Sequence, residues 1–282
     1  MTARLDDVIR RAGFHGAVFD VDGVLVDSPH ELAWREALEQ LMETSWSAIR
    51  DQTTYSPERF TPEVYRAHMS GKTTFSGARA ALHYFGLPED DARTEEYGRR
   101  KQQVMGELLE AGELTAYPDA LRFVLAVRKA GIPAAAASSS KNAAQLLSQI
   151  RLDAFAEQEA VRLDFIRPGL TLLDVFAADV SGRDFPQGGK PHPEIFLTAA
   201  REIGVPADQC FAVEDAVSGV QAAKAAAMAV VGLARAGEAD VLADADADLV
   251  VTTLDEVDLF ALSEGRLARK WPRRESCAQW RT

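Results

Sequence analysis

"FDVDGVLVDS", residues 19–28, sets Asp20, Asp22 and Asp27 into an otherwise apolar run. Residues Ala17–Val21 of "HGAVFDVDG" read as a buried strand that ends in a turn at Gly23. A short apolar run bounded by glycines fits the centre of a parallel sheet. Two carboxylates at the end of such a strand demand a partner. Burying a charge is costly unless it is paired or bound to a metal, and like charges this close raise each other's pKa. The stretch therefore implies either a cation beside Asp20 and Asp22 or that the run is not a strand.

The rest of the chain supplies the sheet around that strand. Residues 5–12 read as a short amphipathic helix leading into it. After it come helical patterns at 31–43, 62–69, 75–85 and 91–111, with no convincing strand before about residue 114, so this part reads as a helical insertion. From "YPDA" at 117–120 the rhythm changes. "ALRFVLAVRKAG" predicts a helix, "IPAAAASSS" a strand, "KNAAQLLSQI" a helix and "LLDVFAADV" a strand region. "HPEIFLTAAREIG" predicts a helix, "CFAVEDA" a strand, "SGVQAAKAAAM" a helix, and "AVVGLA" and "DLVVTTL" two more strands. Alternation of this kind predicts a parallel α/β sheet, whose ligands sit at the carboxyl ends of its strands. The extra residues around 156–186 are expected to form a surface loop rather than a flap near the site, "DADAD" at 244–248 a solvated loop, and Arg266, Arg269, Lys270, Arg273 and Arg274 a solvated or disordered basic tail.

Composition narrows the function classes. With 47% hydrophobic and 26% charged residues among 282, the chain is that of an ordinary globular protein, long enough for a core with an inserted domain. Lys and Arg total 31 against 43 acids, a net charge of −12, which argues against a nucleic-acid partner. Cys210 and Cys277 form neither a disulfide framework nor a zinc signature. The first residues lack a signal peptide's apolar stretch, and no window approaches the ~18 apolar residues of a membrane span. No membrane partner is expected, and the cytoplasm is the expected location.

The predicted strand ends carry chemistry of distinct types. The first ends in Asp20 and Asp22, the second in Ser138, Ser139 and Ser140, and a later one in Glu214 and Asp215; Lys190 precedes a helix in "GGKPHPEIF". Together they offer carboxylates for a hard cation, hydroxyl donors and one ammonium. Magnesium takes oxygen ligands of this kind, with waters and substrate phosphate completing its shell.

"FDVDGVLVDS", "ASSSKN", "GKPHPEIF" and "VEDAVSGVQAAKAA" follow one another across most of residues 16–235. In this the chain resembles the haloacid dehalogenase superfamily, in particular its β-phosphoglucomutase-like phosphatase branch. The resemblance implies an α/β fold: a Rossmann-like core with a parallel sheet, built from residues 1–29 and 115–260, an inserted α-helical cap at 30–114, and a C-terminal tail at 261–282. It makes Asp20 the nucleophile that accepts a phosphoryl group and Asp22 the acid and base. Ser138 would hydrogen-bond the transferring group, and Lys190 would neutralise its charge and hold Asp20. Mg²⁺ would bind Asp20, Asp215 and the Asp22 backbone carbonyl, with Glu214 at its second shell or acting through water.

Ser139, Ser140, Lys141 and Asn142 are expected to bind substrate, with His30, Trp34, Gly71 and Lys72 from the cap. Mutases of this branch carry an arginine in the cap loop that "HMSGKTTFSG", residues 68–77, resembles; here Lys72 stands there instead. The implied activity is a Mg²⁺-dependent phosphohydrolase with an aspartyl-phosphate intermediate, acting on a small phosphorylated metabolite such as a sugar phosphate. A phosphomutase and a catalytically silent binding protein are the alternatives. A monomer or weak homodimer is expected.

Overall fold

The computed structural model describes residues 13–235, 237 and 239–270. Strand β1 (Gly16–Phe19) is buried along its whole length. Side chains alternate across a strand, so Ala17 and Phe19 enter one core layer and Val18 the other. In the first layer Phe19 meets Phe176, Phe123 and Phe211 edge-on, at centroid distances of 5.9, 6.0 and 6.2 Å. In the second Val18 shares a cluster with Ile195 and Phe196.

The chain then leaves the core through β2 (Val26–Asp27) and returns through β3 (Thr115–Ala116), and these two passages pair antiparallel. Between them lie helices α1 (His30–Glu43), α2 (Pro62–His68), α3 (Thr74–Tyr84) and α4 (Asp91–Glu110). α1 packs on α4 through Trp34 and Tyr97, whose rings meet edge-on at 4.9 Å, and the Tyr97 hydroxyl donates to the Trp34 carbonyl at 2.8 Å. Arg235 braces the ribbon from the core. Its guanidinium lies 3.8 Å from the centroid of the Tyr117 ring, donates to the Gly23 and Val24 carbonyls, and pairs with Asp119.

The remaining core is α5 (Pro118–Lys129), β4 (Ala134–Ala136), α6 (Ala143–Gln149), α7 (Leu152–Gln158), β5 (Ala178–Asp179), α8 (Glu194–Glu202), β6 (Cys210–Glu214), α9 (Val217–Ala225), β7 (Ala229–Leu233), α10 (Ala239–Asp244), β8 (Leu249–Val251) and α11 (Leu259–Ser263). The six core strands form one parallel sheet in the order β5-β4-β1-β6-β7-β8. β1, β4 and β6 are thus adjacent, and their carboxyl ends bring Asp20, Ser138 and Glu214 to one edge. Among the described residues no helix is long and apolar enough to cross a membrane.

Several local expectations need correction. "LLDVFAADV" yields only the two-residue β5, because Asp174 accepts from the Thr171 amide and hydroxyl and closes a turn through Leu173–Val175. Residues 156–186 are not one surface loop: they include the end of α7, that turn and β5. Asp248 of "DADAD" is exposed, as a solvated loop requires, yet it also binds Lys224 Nζ at 2.8 and 2.9 Å and the Val230 amide at 2.7 Å. In the basic tail Arg266, Arg269 and Lys270 are exposed as expected, but Arg269 also donates to the Val250 carbonyl and pairs with Glu256. Cys210 is buried. The expected helix at 5–12, Cys277, Arg273 and Arg274 lie outside the described residues.

Candidate active site

Asp20 follows β1 directly, and its amide still donates to the Val213 carbonyl at 3.0 Å. That bond holds its carboxylate at the sheet edge. Lys190 Nζ donates to Asp20 Oδ1 at 2.5 Å and to Glu214 Oε1. The side chains of Lys190 and Glu214 are 2% and 1% exposed, so this pairing is made out of water. Glu214 Oε2 accepts from the amides of Asp215 and Ala216. Gly219 makes room for it: a Cβ there would stand 2.0 Å from the Glu214 carboxyl.

Oxygens of Asp20, Glu214 and Asp215 lie within 4.8 Å of one another. Burial pushes the Asp20 carboxyl up to about 8, against the pull of Lys190 and with help from Glu214 and Asp22. Burial and the charge of Asp20 raise Asp215 well above the usual carboxylate range. One lysine cannot neutralise three carboxylates in so dry a place. The donor set is hard oxygen, and Gly23, at φ +84°, presses so close to Asp215 that a Cβ would sit 1.9 Å from its Oδ2. These residues fit a divalent cation of the magnesium type.

The Asp22 carboxylate points elsewhere. It accepts from Ser28 Oγ at 2.5 Å and Ser138 Oγ at 3.0 Å, and lies 3.1 Å from His30 Nε2. Burial would raise its pKa, but His30, Ser28 and Ser138 together hold it below the usual range. Its side chain is therefore committed away from the acid cluster, which leaves its backbone carbonyl as the group expected to face the metal. His30 Nδ1 lies 2.7 Å from Lys101 Nζ. An ammonium only donates, so Nδ1 accepts and the Nε2 proton faces Asp22. Burial pushes the Lys101 ammonium down to about 8, opposed by the charge of Asp22.

A cavity of about 230 Å³ is lined by Asp20, Asp22, Ser138, Ser139, Ser140, Lys190, Glu214 and Asp215 from the core, and by His30, Trp34, Gly71 and Lys72 from the cap. Trp34 is 4% exposed and packs mainly on Tyr97. Lys72 Nζ donates to the His68 carbonyl at 2.6 Å. Lys141 and Asn142 depart from expectation, because neither lines this cavity. Lys141 turns to Asp184, with Nζ 3.4 Å from Oδ2, and the Asn142 amide donates to Gln102 Oε1. Sequence reasoning missed Ser28, Lys101 and Arg66, which line it too. Ser28 stood in the opening stretch. Lys101 had a signal: it interrupts a buried stripe at helical spacing, Tyr97–Lys101–Met105.

A family model described as haloacid dehalogenase-like hydrolase matches residues 14–227. The chain is 32% identical over 259 residues to a β-phosphoglucomutase of Mycobacterium tuberculosis (strain CDC 1551 / Oshkosh), covering 85% of this chain and 90% of that protein. It is 26% identical to hexitol phosphatase A of Escherichia coli (strain K12), over 89% and 96% of the two chains. Among solved structures, the β-phosphoglucomutase of Pyrococcus sp. strain ST 04 superposes with a TM-score of 0.60 at 25% identity, covering 88% of this chain and 97% of that one.

Proposed function

The chain belongs to the haloacid dehalogenase-like hydrolases, and we propose that it is a magnesium-dependent phosphohydrolase acting on a small sugar phosphate through a phosphoaspartate at Asp20. The observation that carries this is the buried Asp20 carboxylate, paired with Lys190 at the floor of a cavity that also holds the Asp22 carboxyl. An Asp20 oxygen attacks phosphorus as the bond to the leaving oxygen breaks, and Asp22, ionised in the free protein, takes up a proton as substrate binds and delivers it to that oxygen. Water then attacks the phosphoaspartate, Asp22 takes its proton, and phosphate leaves with Asp20 restored. Dividing the reaction this way replaces one difficult step by two easier ones. Lys190 and the Ser138 hydroxyl offset charge on the phosphoryl oxygens. Magnesium, held by Asp20, Asp215 and the Asp22 carbonyl, would supply further neutralisation of that charge.

His30 enters from the first turn of α1 and Lys101 from α4, so the cap completes the setting of Asp22. Lys101→Met should lower kcat by roughly tenfold to a hundredfold, the worth of one charge-assisted hydrogen bond at about 1.5–3 kcal/mol. Steady-state kinetics on an aryl phosphate, with its KM nearly unchanged, checks this. Full kcat in the variant would remove the Lys101–His30 pair from the account.

Chelation provides a second test. EDTA should abolish phosphate release and Mg²⁺ restore it, while Ca²⁺, with its larger and looser shell, should do so poorly. Mg²⁺ at about a hundred times its Kd should also stabilise the folded protein by about 2.7 kcal/mol. A melting curve indifferent to Mg²⁺ would count against the acid cluster as its site.

A phosphomutase is the second reading, favoured by one observation. The cap does bring an arginine to the cavity: Arg66, paired with Glu63, from α2 rather than from the loop at 68–77. With Lys72 it could grip a second phosphate, and relatives such as the M. tuberculosis protein are named as mutases. Net phosphate release from monosaccharide phosphates, unaffected by a sugar bisphosphate, separates hydrolysis from mutation.

A further inference from the structure

A second cavity, of about 380 Å³, opens beside the catalytic one at the seam between cap and core. Its walls come from the start of α3, the middle of α4 and the core segment 182–189. Thr74 and Ser139 line both cavities. The partition there is built of small hydroxyl side chains, with Ser139 Oγ donating to the Gly71 carbonyl at 3.3 Å. The two spaces therefore adjoin at these side chains.

The lining is chemically specific. Phe75 and Phe185 offer aromatic surface. Gln102 already uses both ends of its amide, accepting from Asn142 and donating to Thr74. Lys141 and Asp184 pair with each other. That leaves Glu95 and Arg99, one turn apart on α4, whose exposed side chains make no hydrogen bond or ion pair among the described residues. A pyranose presents an apolar face and an edge of hydroxyls, and ligand sites typically meet such a group with apolar surface and a few placed polar groups.

We propose that this cavity is a second subsite of the catalytic cleft, which holds a further sugar ring on the leaving group, so that the preferred substrate is a disaccharide monophosphate. The proposal rests on the phosphohydrolase reading of Asp20 and adds the substrate class. The phosphorylated ring occupies the catalytic cavity. The second ring passes Thr74 and Ser139, packs on Phe185 and Phe75, and sets its hydroxyls on Glu95 and Arg99.

Binding separates this proposal from the reading it rests on. Calorimetry on the Asp20→Asn protein, which holds ligand without turnover, compares a glucose monophosphate, trehalose and maltose monophosphates, and uridine monophosphate. At least one disaccharide phosphate should bind about tenfold more tightly than glucose phosphate, a difference of about 1.4 kcal/mol. Glu95→Gln with Phe185→Ala should erase that advantage and leave glucose phosphate binding unchanged, which also shows that the doubly substituted protein is folded. Equal affinities, no binding of any sugar phosphate, an advantage that survives both substitutions, or tighter binding of uridine monophosphate each overturns the proposal. Phosphate release from an aryl phosphate by the unmodified protein is read separately. Its absence would sink the phosphohydrolase reading, while the calorimetry alone decides the subsite.

Discussion

Asp20→Asn is expected to lower phosphate release by at least about a thousandfold, about 4 kcal/mol of transition-state stabilisation, without harming the fold. The substitution changes almost no volume. It keeps the backbone bond from residue 20 to the Val213 carbonyl and an oxygen that can accept from Lys190. What it removes is the charge that attacks phosphorus. The fold does not need that charge: burial already pushes the Asp20 carboxyl up to about 8, and Lys190 retains Glu214 as a partner. In chelated buffer the melting temperature should therefore equal or exceed that of the unmodified protein. Phosphate release from an aryl phosphate and thermal unfolding, measured on one preparation, check both halves. Activity within tenfold of the unmodified protein would place the attacking group elsewhere.

What was legible in the sequence depended on range. β1 could be read because its signal is local, an apolar run closed by Gly23, and the cap helices because helical spacing repeats within one element. Ala134–Ala137 is a harder case. Alanine is the best helix former, yet β4 is a strand, because the run lies between β1 and β5 in the interior of the sheet. Lys141 and Asn142 show the limit. Both stand in the motif "ASSSKN", but Lys141 finds its partner 43 residues away and Asn142 finds its own 40 residues away, on the cap. Nothing near them in sequence encodes those encounters. Asp248 is similar: three of its bonds reach back to Lys224 and Val230, so a run of acids that looks solvated contains one anchor.

The same distinction between local and buried partners sets the last expectation, that Lys190→Met destabilises the protein by about 3–5 kcal/mol. Methionine fills nearly the same space, so packing on Phe196, whose ring centroid lies 5.3 Å from Nζ, is largely kept. The charge is not replaced. Asp20 and Glu214 are left facing each other in a site nearly closed to water, and removing one partner of a buried pair leaves an uncompensated charge. Lys141→Met is the control. Its pair with Asp184 is exposed, and such pairs contribute about 0–1 kcal/mol. The sign of the pH dependence follows from the carboxyls. A carboxyl whose pKa is raised on folding is at no disadvantage at low pH, where it is protonated in both states, and loses stability as pH rises through its folded value. Without Lys190 to oppose burial, Asp20 moves further in that direction. In chelated buffer the deficit should therefore be small in acid and grow toward neutral and alkaline pH. Urea unfolding of both variants across pH measures it. A loss below about 1 kcal/mol, or one that does not change with pH, would show that the ammonium of Lys190 is not what lets these carboxylates share one buried edge of the sheet.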